Sequence, residues 1–256
     1  MELTDNEQTL RQCKFLTALP VFNEAFTVGG VLDEVARYCD HILVIDDGSS
    51  DGTAEILSAR DDVVVMTHSV NQGYGAALQT AFQYAADHDY DILVTIDCDG
   101  QHEPQRILKF VETCLETGAD IVSGSRYLRS FSEDSPAPEQ RRLINHRVTE
   151  ILNQRMGFQI TDAFCGFKAY RVESLFEIRL HEIGYAMPLE LWVQAAYREL
   201  TVVEVAVPRI YLDKNRSFGD FLDDPATRLN YYFNVMDRAF ASLPSDSKRL
   251  RSMRLG

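Results

Sequence analysis

Short apolar runs alternate with helix-like segments along the first half of the chain. The runs are rich in β-branched residues, as buried strands are, and the segments between them have the spacing of amphipathic helices. We predict strands over residues 15–19, 42–45, 63–66, 92–96 and 120–123, and helices over 25–38, 76–86 and 104–116, with another starting after Asp51. This alternation predicts an α/β fold with a mostly parallel central sheet and helices on both faces.

The second half of the chain is less regular. A polar, proline-containing loop is predicted over residues 130–139. Beyond this loop, the apolar spacing predicts helices over 140–156, 189–200 and 227–240, and strands over 164–170 and 202–207.

Polar residues and glycines follow four of the predicted strands. They occupy residues 20–24, 46–51, 97–102 and 124–126. The carboxyl ends of parallel strands lie at one edge of a sheet, where open α/β folds bind their ligands. The sequence therefore predicts one site built from these four loops.

Two carboxylates, Asp97 and Asp99, follow the fourth strand. A turn that begins at Asp97 lets both side chains converge on one cation, and Gln101 can supply a third oxygen. Mg²⁺ and Mn²⁺ prefer such oxygen ligands, and Mg²⁺ is usually held by one or two carboxylates plus substrate phosphates. The alternative is a pair of surface acids, but the similar context of the neighbouring loops favours a metal site for a phosphorylated substrate.

The second strand ends in Asp46 and Asp47, which can accept hydrogen bonds from a base or a ribose. The alternative is an ordinary turn, because Asp and Gly favour turns. Gly73 lies in a further loop, residues 71–75, just before a predicted helix. Glycines there allow a phosphate to approach the backbone closely. A tight loop that lets the helix pack on the sheet is the structural alternative.

Several arginines and one acid are further candidates. Arg126 closes the loop after the fifth strand, and Arg141 lies on the next helix. A guanidinium binds phosphate through two parallel hydrogen bonds. Arg142 and Arg147 are interpreted as solvated surface charges. Asp162 enters a glycine-bearing apolar segment and is a candidate base or orienting group.

The charge balance of the chain limits its ligands. Among 256 residues there are 25 Lys and Arg against 39 Asp and Glu, a formal net charge of −14. Nonspecific nucleic-acid binding needs clustered cations and is therefore excluded. Five cysteines without CxxC spacing predict reduced thiols in a cytosolic protein. No signal peptide or apolar run of ~18 residues is expected.

Six motifs, in this order, resemble one known family: ALPVFNE, VIDDGSSDGT, NQGYGAAL, TIDCDGQHEP, SGSRY and TDAFCGFKAYR. Together they are similar to family 2 glycosyltransferases of GT-A fold, and in particular to dolichyl- and polyprenyl-phosphate mannosyl- and glucosyltransferases. The resemblance covers about residues 14–212. It implies an inverting hexose transfer from a nucleotide sugar, of GDP-mannose or UDP-glucose type, to a polyprenyl or dolichyl phosphate.

The resemblance also implies roles for individual residues. Asp97 and Asp99, with Gln101, would hold Mg²⁺ or Mn²⁺ on the donor diphosphate. Arg126, and Arg141 with Asn145, match acceptor-phosphate positions. The nucleoside would be held by Pro20, Phe22, Glu24 and Asp47, with Asp46, Gly73 and Cys98 as further donor contacts. Asp162 matches the acid beside the reacting centre, and Arg216 would reach the donor phosphate.

The resemblance suggests a division of the chain. We expect an N-terminal extension (1–13), a catalytic domain (14–243) and a basic tail (244–256). The domain would comprise a nucleotide-sugar-binding half (14–126) and an acceptor-binding half (127–243). The tail is interpreted as solvated or as attracted to anionic lipid, which would place the protein at the cytoplasmic membrane face.

Two departures from the family pattern keep other functions open. The Ser-Lys that family members often carry after an Arg-x-x-Gly is absent after Arg216, and so are the transmembrane helices of several relatives. The alternatives are a soluble hydroxyl acceptor, a sugar nucleotidyltransferase and a non-catalytic nucleotide-sugar sensor. The oligomeric state is left open.

Overall fold

One seven-stranded sheet organises the described part of the computed structural model, which comprises residues 10, 12–212 and 220–244. The strands are β1 (Phe15–Val21), β2 (Ile42–Asp46), β3 (Val64–Thr67), β4 (Ile92–Thr95), β5 (Ile121–Ser125), β6 (Lys168–Arg171) and β7 (Val202–Ala206). Their spatial order is β3-β2-β1-β4-β6-β5-β7. All neighbours are parallel except β6, which is antiparallel to β4 and β5. The predicted mostly parallel α/β sheet is confirmed.

Helices cover both faces of this sheet, as predicted. They are α1 (Val28–Val35), α2 (Thr53–Ser58), α3 (Tyr74–Asp87), α4 (Ile107–Thr117), α5 (Glu139–Met156), α6 (Val172–Leu175), α7 (Met187–Tyr197) and α8 (Pro225–Ser242). Alternate residues of a strand point to opposite faces. In β2, Ile42 and Val44 therefore join the core formed with α1 and α4, whereas Leu43 and Ile45 join the core formed with α3.

The antiparallel strand β6 brings a second-half segment to the carboxyl edge of the sheet. Lys168, the first residue of β6, is in register with Thr95 at the end of β4 and with Ser123 in β5. Residues 162–167, which lead into β6, therefore lie at the edge where β4 and β5 end. This topology places Asp162 beside the loops that follow those two strands.

Some element boundaries differ from the predicted ones. The strand predicted over 164–170 begins only at Lys168, because residues 162–167 turn at the sheet edge, with the Phe164 amide donating to Asp162. The helix predicted from residue 104 begins with a short 3-10 turn, Pro104–Arg106. The helix predicted over 25–38 is shorter because residues 25–27 form a turn. The ends of the other predicted strands and helices differ from the observed ends by up to three residues.

The longest described helices, α5 and α8, are 18 residues each and carry several charged side chains. Within the described residues, no helix has the length and apolar character needed to cross a membrane.

Close packing between β5 and the segment before β6 gives a stability prediction. A Cβ on Gly124 would lie 2.8 Å from the Cys165 sulfur and 2.8 Å from the Phe167 carbonyl oxygen. We expect Gly124→Ala to lower the free energy of unfolding by about 1–3 kcal/mol, as overpacking usually does. Urea denaturation measures this change.

Gly30→Ala is the matched control, because Gly30 lies inside α1 with no atom within 4 Å of an added Cβ. We expect it to leave the stability unchanged or to raise it by up to about 1 kcal/mol. Wild-type stability in Gly124→Ala would contradict the described packing.

Candidate active site

A cavity of about 1020 Å³ lies where the strands end. Residues following β1, β2, β4 and β5 line it, so the predicted convergence of these loops on one site is confirmed. Twelve of the predicted site residues line this cavity: Pro20, Phe22, Glu24, Asp47, Gly73, Asp97, Cys98, Asp99, Gln101, Arg126, Arg141 and Asn145. Asp46 and Asp162 do not, and Arg216 and the basic tail lie outside the described residues.

The carboxylate of Asp97 is held from three sides. Its Oδ1 accepts a hydrogen bond from the Tyr74 hydroxyl at 3.1 Å, and its Oδ2 lies 3.1 Å from Nε2 of His102. A Cβ on Gly166 would overlap this carboxylate, so only glycine fits at that position. His102 thus supports the Asp97 carboxylate from the loop after β4.

Asp99 and Gln101 form a local pair. Both the backbone amide and the side-chain Nε2 of Gln101 donate to the Asp99 carboxylate, each at 3.0 Å. These contacts orient Asp99 and fix the turn after Asp97. Because Nε2 of the Gln101 side chain donates to Asp99, the Oε1 atom of the same side chain is the one suited to bind a cation.

The donor set in the cavity fits a divalent cation shared with a substrate. Asp97, Asp99 and Gln101 offer hard oxygen atoms in one cavity. The Asp97 side chain is 29% exposed and is therefore accessible from the cavity. Over residues 12–212 and 220–244, no group of three or more His, Cys, Asp and Glu could enclose a metal ion by itself. Substrate phosphates would have to complete the coordination, as is usual for Mg²⁺.

The two acids at the carboxyl end of β2 make hydrogen bonds within the protein around the cavity. Asp47 accepts hydrogen bonds from the backbone amides of Gln72 at 2.9 Å and Gly73 at 2.7 Å, and lies 2.6 Å from Nδ1 of His68. Asp46, by contrast, is 1% exposed, accepts a hydrogen bond from the Ser49 amide and does not line the cavity, so this arrangement does not support its predicted donor contact.

The glycines at the start of α3, Gly73 and Gly75, fit the structural alternative. A Cβ on Gly73 would lie 2.5 Å from the Ile183 carbonyl oxygen, and one on Gly75 would lie 2.6 Å from that of Glu182. The Ala76 amide at the start of α3 also donates to Ile183, at 3.1 Å. Protein backbone therefore occupies the space that these glycines leave open. Gly73 still lines the cavity.

Asp162 and Arg126 form a buried ion pair. The Arg126 guanidinium donates to both oxygens of Asp162, at 2.7 and 3.0 Å, and Nδ2 of Asn145 donates at 2.7 Å. Asp162 has no exposed surface. Burial by itself raises the pKa of this carboxyl, but the charge and hydrogen bonds of Arg126 and the amide of Asn145 lower it to about 2.

This environment disagrees with a base role for Asp162. A carboxylate with a pKa of about 2 is a weak proton acceptor at neutral pH. The Phe164 amide and the backbone amide of Arg126 add two further hydrogen bonds. These contacts hold Arg126 at the cavity and agree with the orienting role that the sequence suggested for Asp162.

Tyr74, Tyr185 and Arg228 are among the cavity residues that sequence reasoning missed. Tyr74 donates to Asp97, and Tyr185 stacks on Tyr74 with the ring centroids 6.0 Å apart. Arg228 reaches the cavity from α8. A signal for Arg228 was present, because it lies four residues before Tyr232 on the apolar stripe of a predicted helix, where a cation is out of place.

Comparison with known proteins agrees with this geometry. The glycosyl transferase family 2 domain matches residues 17–179, more than half of the chain. The chain belongs to glycosyl transferase family 2. Its members are glycosyltransferases, and the matched range contains Asp97, Asp99, Arg126 and Asp162.

Two relatives of this chain have names that refer to polyprenyl lipids and their phosphates. The chain is 31% identical over 202 residues to polyprenol monophosphomannose synthase from Mycolicibacterium smegmatis, covering 75% of this chain and 76% of that protein. It is 30% identical over 205 residues to undecaprenyl-phosphate mannosyltransferase from Micrococcus luteus, covering 76% of this chain and 82% of that protein.

Solved structures show that the family member has the GT-A fold. Glucosyl-3-phosphoglycerate synthase from Mycobacterium tuberculosis in complex with Mg²⁺ and UDP superposes with a TM-score of 0.71 at 20% identity, covering 96% of this chain and 86% of that one. The complex of the same synthase with Mn²⁺, UDP-glucose and phosphoglyceric acid superposes with a TM-score of 0.69.

Removing the charge of Asp162 tests the buried ion pair. Asp162→Asn leaves the Arg126 guanidinium without its counterion, and breaking a buried pair usually costs about 3–5 kcal/mol. We expect a loss of this size in the free energy of unfolding at pH 7, measured by urea denaturation.

The pH dependence of that loss gives a sharper test. The folded-state pKa is about 2, below the unfolded value of about 3.9. The carboxylate therefore stabilises the fold above pH ~4, and this contribution disappears as the pH falls toward 2. The difference between wild type and Asp162→Asn should stay constant from pH 8 to 5. A difference that shrinks between pH 7 and 5 would indicate a raised pKa and would restore the base role.

Proposed function

We propose that this protein transfers a hexose from a nucleoside-diphosphate sugar to the phosphate of a polyprenyl-type lipid, with inversion at the anomeric carbon. The names of two relatives, a polyprenol monophosphomannose synthase and an undecaprenyl-phosphate mannosyltransferase, support a lipid-phosphate acceptor. The proposal includes a divalent cation and contact with a membrane surface, because the acceptor is a lipid.

The arrangement of charge in the cavity is the observation that carries the proposal. Asp97 and Asp99 line the same cavity as the guanidinium groups of Arg126 and Arg141. The whole chain has a net charge of −14 and repels anions at long range. Local arginines and a cation on the two acids would therefore have to hold the phosphates of both substrates.

The first half of the chain is assigned to the donor. Pro20, Phe22 and Glu24, at the end of β1 and in the loop after it, line the cavity together with Asp47. Asp47 accepts hydrogen bonds from the Gln72 and Gly73 backbone amides, so we assign it to shaping the nucleoside pocket. Asp97, Asp99 and Gln101 would hold the cation, which when bound neutralises charge on the leaving diphosphate.

The second half of the chain is assigned to the acceptor. Arg126 and Arg141 would hold the acceptor phosphate with one of its oxygens near the anomeric carbon. This oxygen forms the new bond to that carbon, while the bond from the carbon to the donor diphosphate breaks and its electron pair leaves with the nucleoside diphosphate. The acceptor phosphate is already ionised near pH 7, so no side chain has to remove a proton.

The state of Asp162 favours a phosphate acceptor over a hydroxyl acceptor. A hydroxyl needs a general base, and Asp162, the candidate for that role, is buried with a pKa of about 2. Membership of the glycosyltransferase family sets aside the sugar nucleotidyltransferase and the non-catalytic sensor.

Product analysis tests the proposal directly. We expect release of nucleoside diphosphate, and a hexosylated lipid detected by mass spectrometry, when GDP-mannose or UDP-glucose is incubated with Mn²⁺ and a short-chain prenyl phosphate. Phosphoglyceric acid, which is bound by the structural relative, serves as the competing acceptor. Transfer to phosphoglyceric acid alone would contradict the lipid-phosphate assignment.

The metal site is tested with the same assay. Asp97→Asn and Asp99→Asn should each lower turnover by about 100-fold or more, because the charge stabilisation of the leaving group is weakened. Asp40→Asn, at an exposed acid away from the cavity, is the matched control and should keep full activity. Full turnover in EDTA, or in both cavity variants, would contradict the role of a cation.

A further inference from the structure

Glu204, on strand β7 at the end of the sheet, is joined to the segment that carries Asp162. Its carboxylate accepts hydrogen bonds from the Thr161 backbone amide, at 2.9 Å to each oxygen, and from the Asp162 backbone amide at 3.2 Å. The Thr161 hydroxyl donates to it at 2.8 Å. In the sheet, Glu204 is in register with Ser123, which lies two residues before Ser125 on the same face of β5. Glu204 does not line the active-site cavity and follows the matched family range, which ends at residue 179.

The donor groups around Glu204 call for a carboxylate. The two backbone amides and the Thr161 hydroxyl together use both of its oxygens. A glutamine side chain has only one acceptor oxygen and could not satisfy them all. Burial raises the pKa of Glu204, and the negative charge of Asp162 acts in the same direction, while these hydrogen bonds act against it. The position therefore disfavours a charge, and the hydrogen bonds to residues 161 and 162 are what the charged side chain provides there.

A chain of hydroxyl groups extends from Glu204 to the loop that carries Arg126. The Thr161 hydroxyl donates its single proton to Glu204, so it must accept a hydrogen bond from the Ser125 hydroxyl, whose oxygen lies 2.5 Å away. The Ser125 oxygen accepts in turn from the Tyr127 backbone amide at 3.2 Å. The ionised carboxylate thus sets the direction of a chain that reaches the residues on both sides of Arg126.

One acid therefore connects the two partners of the buried ion pair. Glu204 binds the backbone of Asp162 directly, and through Thr161 it binds the turn that carries Arg126. The Arg126 guanidinium is fixed at one end by the Asp162 carboxylate and at the other by its own backbone. A shift of either end would displace the guanidinium in the cavity, and small displacements of a substrate-positioning group lower binding and turnover.

We infer that Glu204 is a positioning residue, which acts through Thr161 and the Asp162 backbone to set the orientation of the Arg126 guanidinium toward the acceptor phosphate. The assignment of Arg126 to the acceptor rests on the proposed function. The orientation of Arg126 is a property of the folded chain and can be measured without any substrate.

Nitrogen-15 NMR of the full chain tests the positioning directly. The probe is the Nε–H group of Arg126, which donates to Asp162 at 2.7 Å, and its resonance is assigned by its loss in Arg126→Lys. We expect this resonance to shift by more than its line width in Glu204→Gln, which removes an acceptor oxygen. The same shift is expected in Thr161→Val, which removes the hydroxyl from the chain but leaves the Glu204 carboxylate and the backbone amides in place.

Two control variants keep the hydrogen bonds intact. Thr161→Ser retains the hydroxyl, and Glu55→Gln removes an exposed acid on α2 outside the cavity, so both should show the wild-type resonance. A wild-type Arg126 resonance in Thr161→Val would overturn the inference even if Glu204→Gln fails to fold. A shift of equal size in Thr161→Ser would also overturn it, because the hydroxyl would then not be the connection.

Steady-state kinetics separates this positioning from a general loss of structure. With a short-chain prenyl phosphate and a nucleotide sugar, Glu204→Gln and Thr161→Val should raise the KM for the acceptor by about threefold to tenfold, equivalent to one hydrogen bond, and leave the KM for the donor unchanged. An equal rise in both KM values, or no rise in either, would contradict the inference. A wild type that transfers no hexose contradicts only the proposed function, because the NMR experiment still decides whether Glu204 positions Arg126.

Discussion

The buried ion pair between Asp162 and Arg126 is the interaction on which the candidate active site depends. A carboxylate without exposed surface is stable only when cations and hydrogen-bond donors surround it, and Arg126, Asn145 and two backbone amides do so here. The pair joins the end of β5 to α5 and to the segment that enters β6. It also bears on the chemistry, because a carboxylate held in this way is suited to orienting a guanidinium and is a weak proton acceptor at neutral pH.

The antiparallel strand β6 connects this ion pair to the acids at the end of β4. The segment that leads into β6 carries both Asp162 and Gly166, and Gly166 lies directly against the Asp97 carboxylate. The Thr95 hydroxyl donates to the Gly166 carbonyl oxygen at 2.8 Å and holds the segment in place. The segment before β6 thus positions Arg126, which is assigned to the acceptor phosphate, and packs against Asp97, which is assigned to the cation on the donor diphosphate.

Local patterns were enough to predict the sheet, its helices and the convergence of four loops on one site. The spacing of apolar residues and the alternation of strands and helices can both be recognised within short stretches of the sequence. The roles of single residues were less accessible. Asp46 and Asp47 are adjacent and chemically identical, and only the tertiary contacts of Asp47 with His68 and Gly73 distinguish them. The glycines at the start of α3 pack against backbone more than a hundred residues away in the sequence, and Arg228 reaches the cavity from the distant helix α8.

Anomalous diffraction from crystals soaked with Mn²⁺, a nucleotide sugar and a prenyl phosphate tests the central claim, that one cavity holds a cation-bound diphosphate and an arginine-bound acceptor phosphate. The account predicts a manganese peak in contact with Asp97 and Asp99 and with the donor diphosphate, and a second phosphate within hydrogen-bond distance of Arg126 and Arg141. A manganese ion bound away from both acids, or an acceptor phosphate that contacts neither arginine, would contradict it.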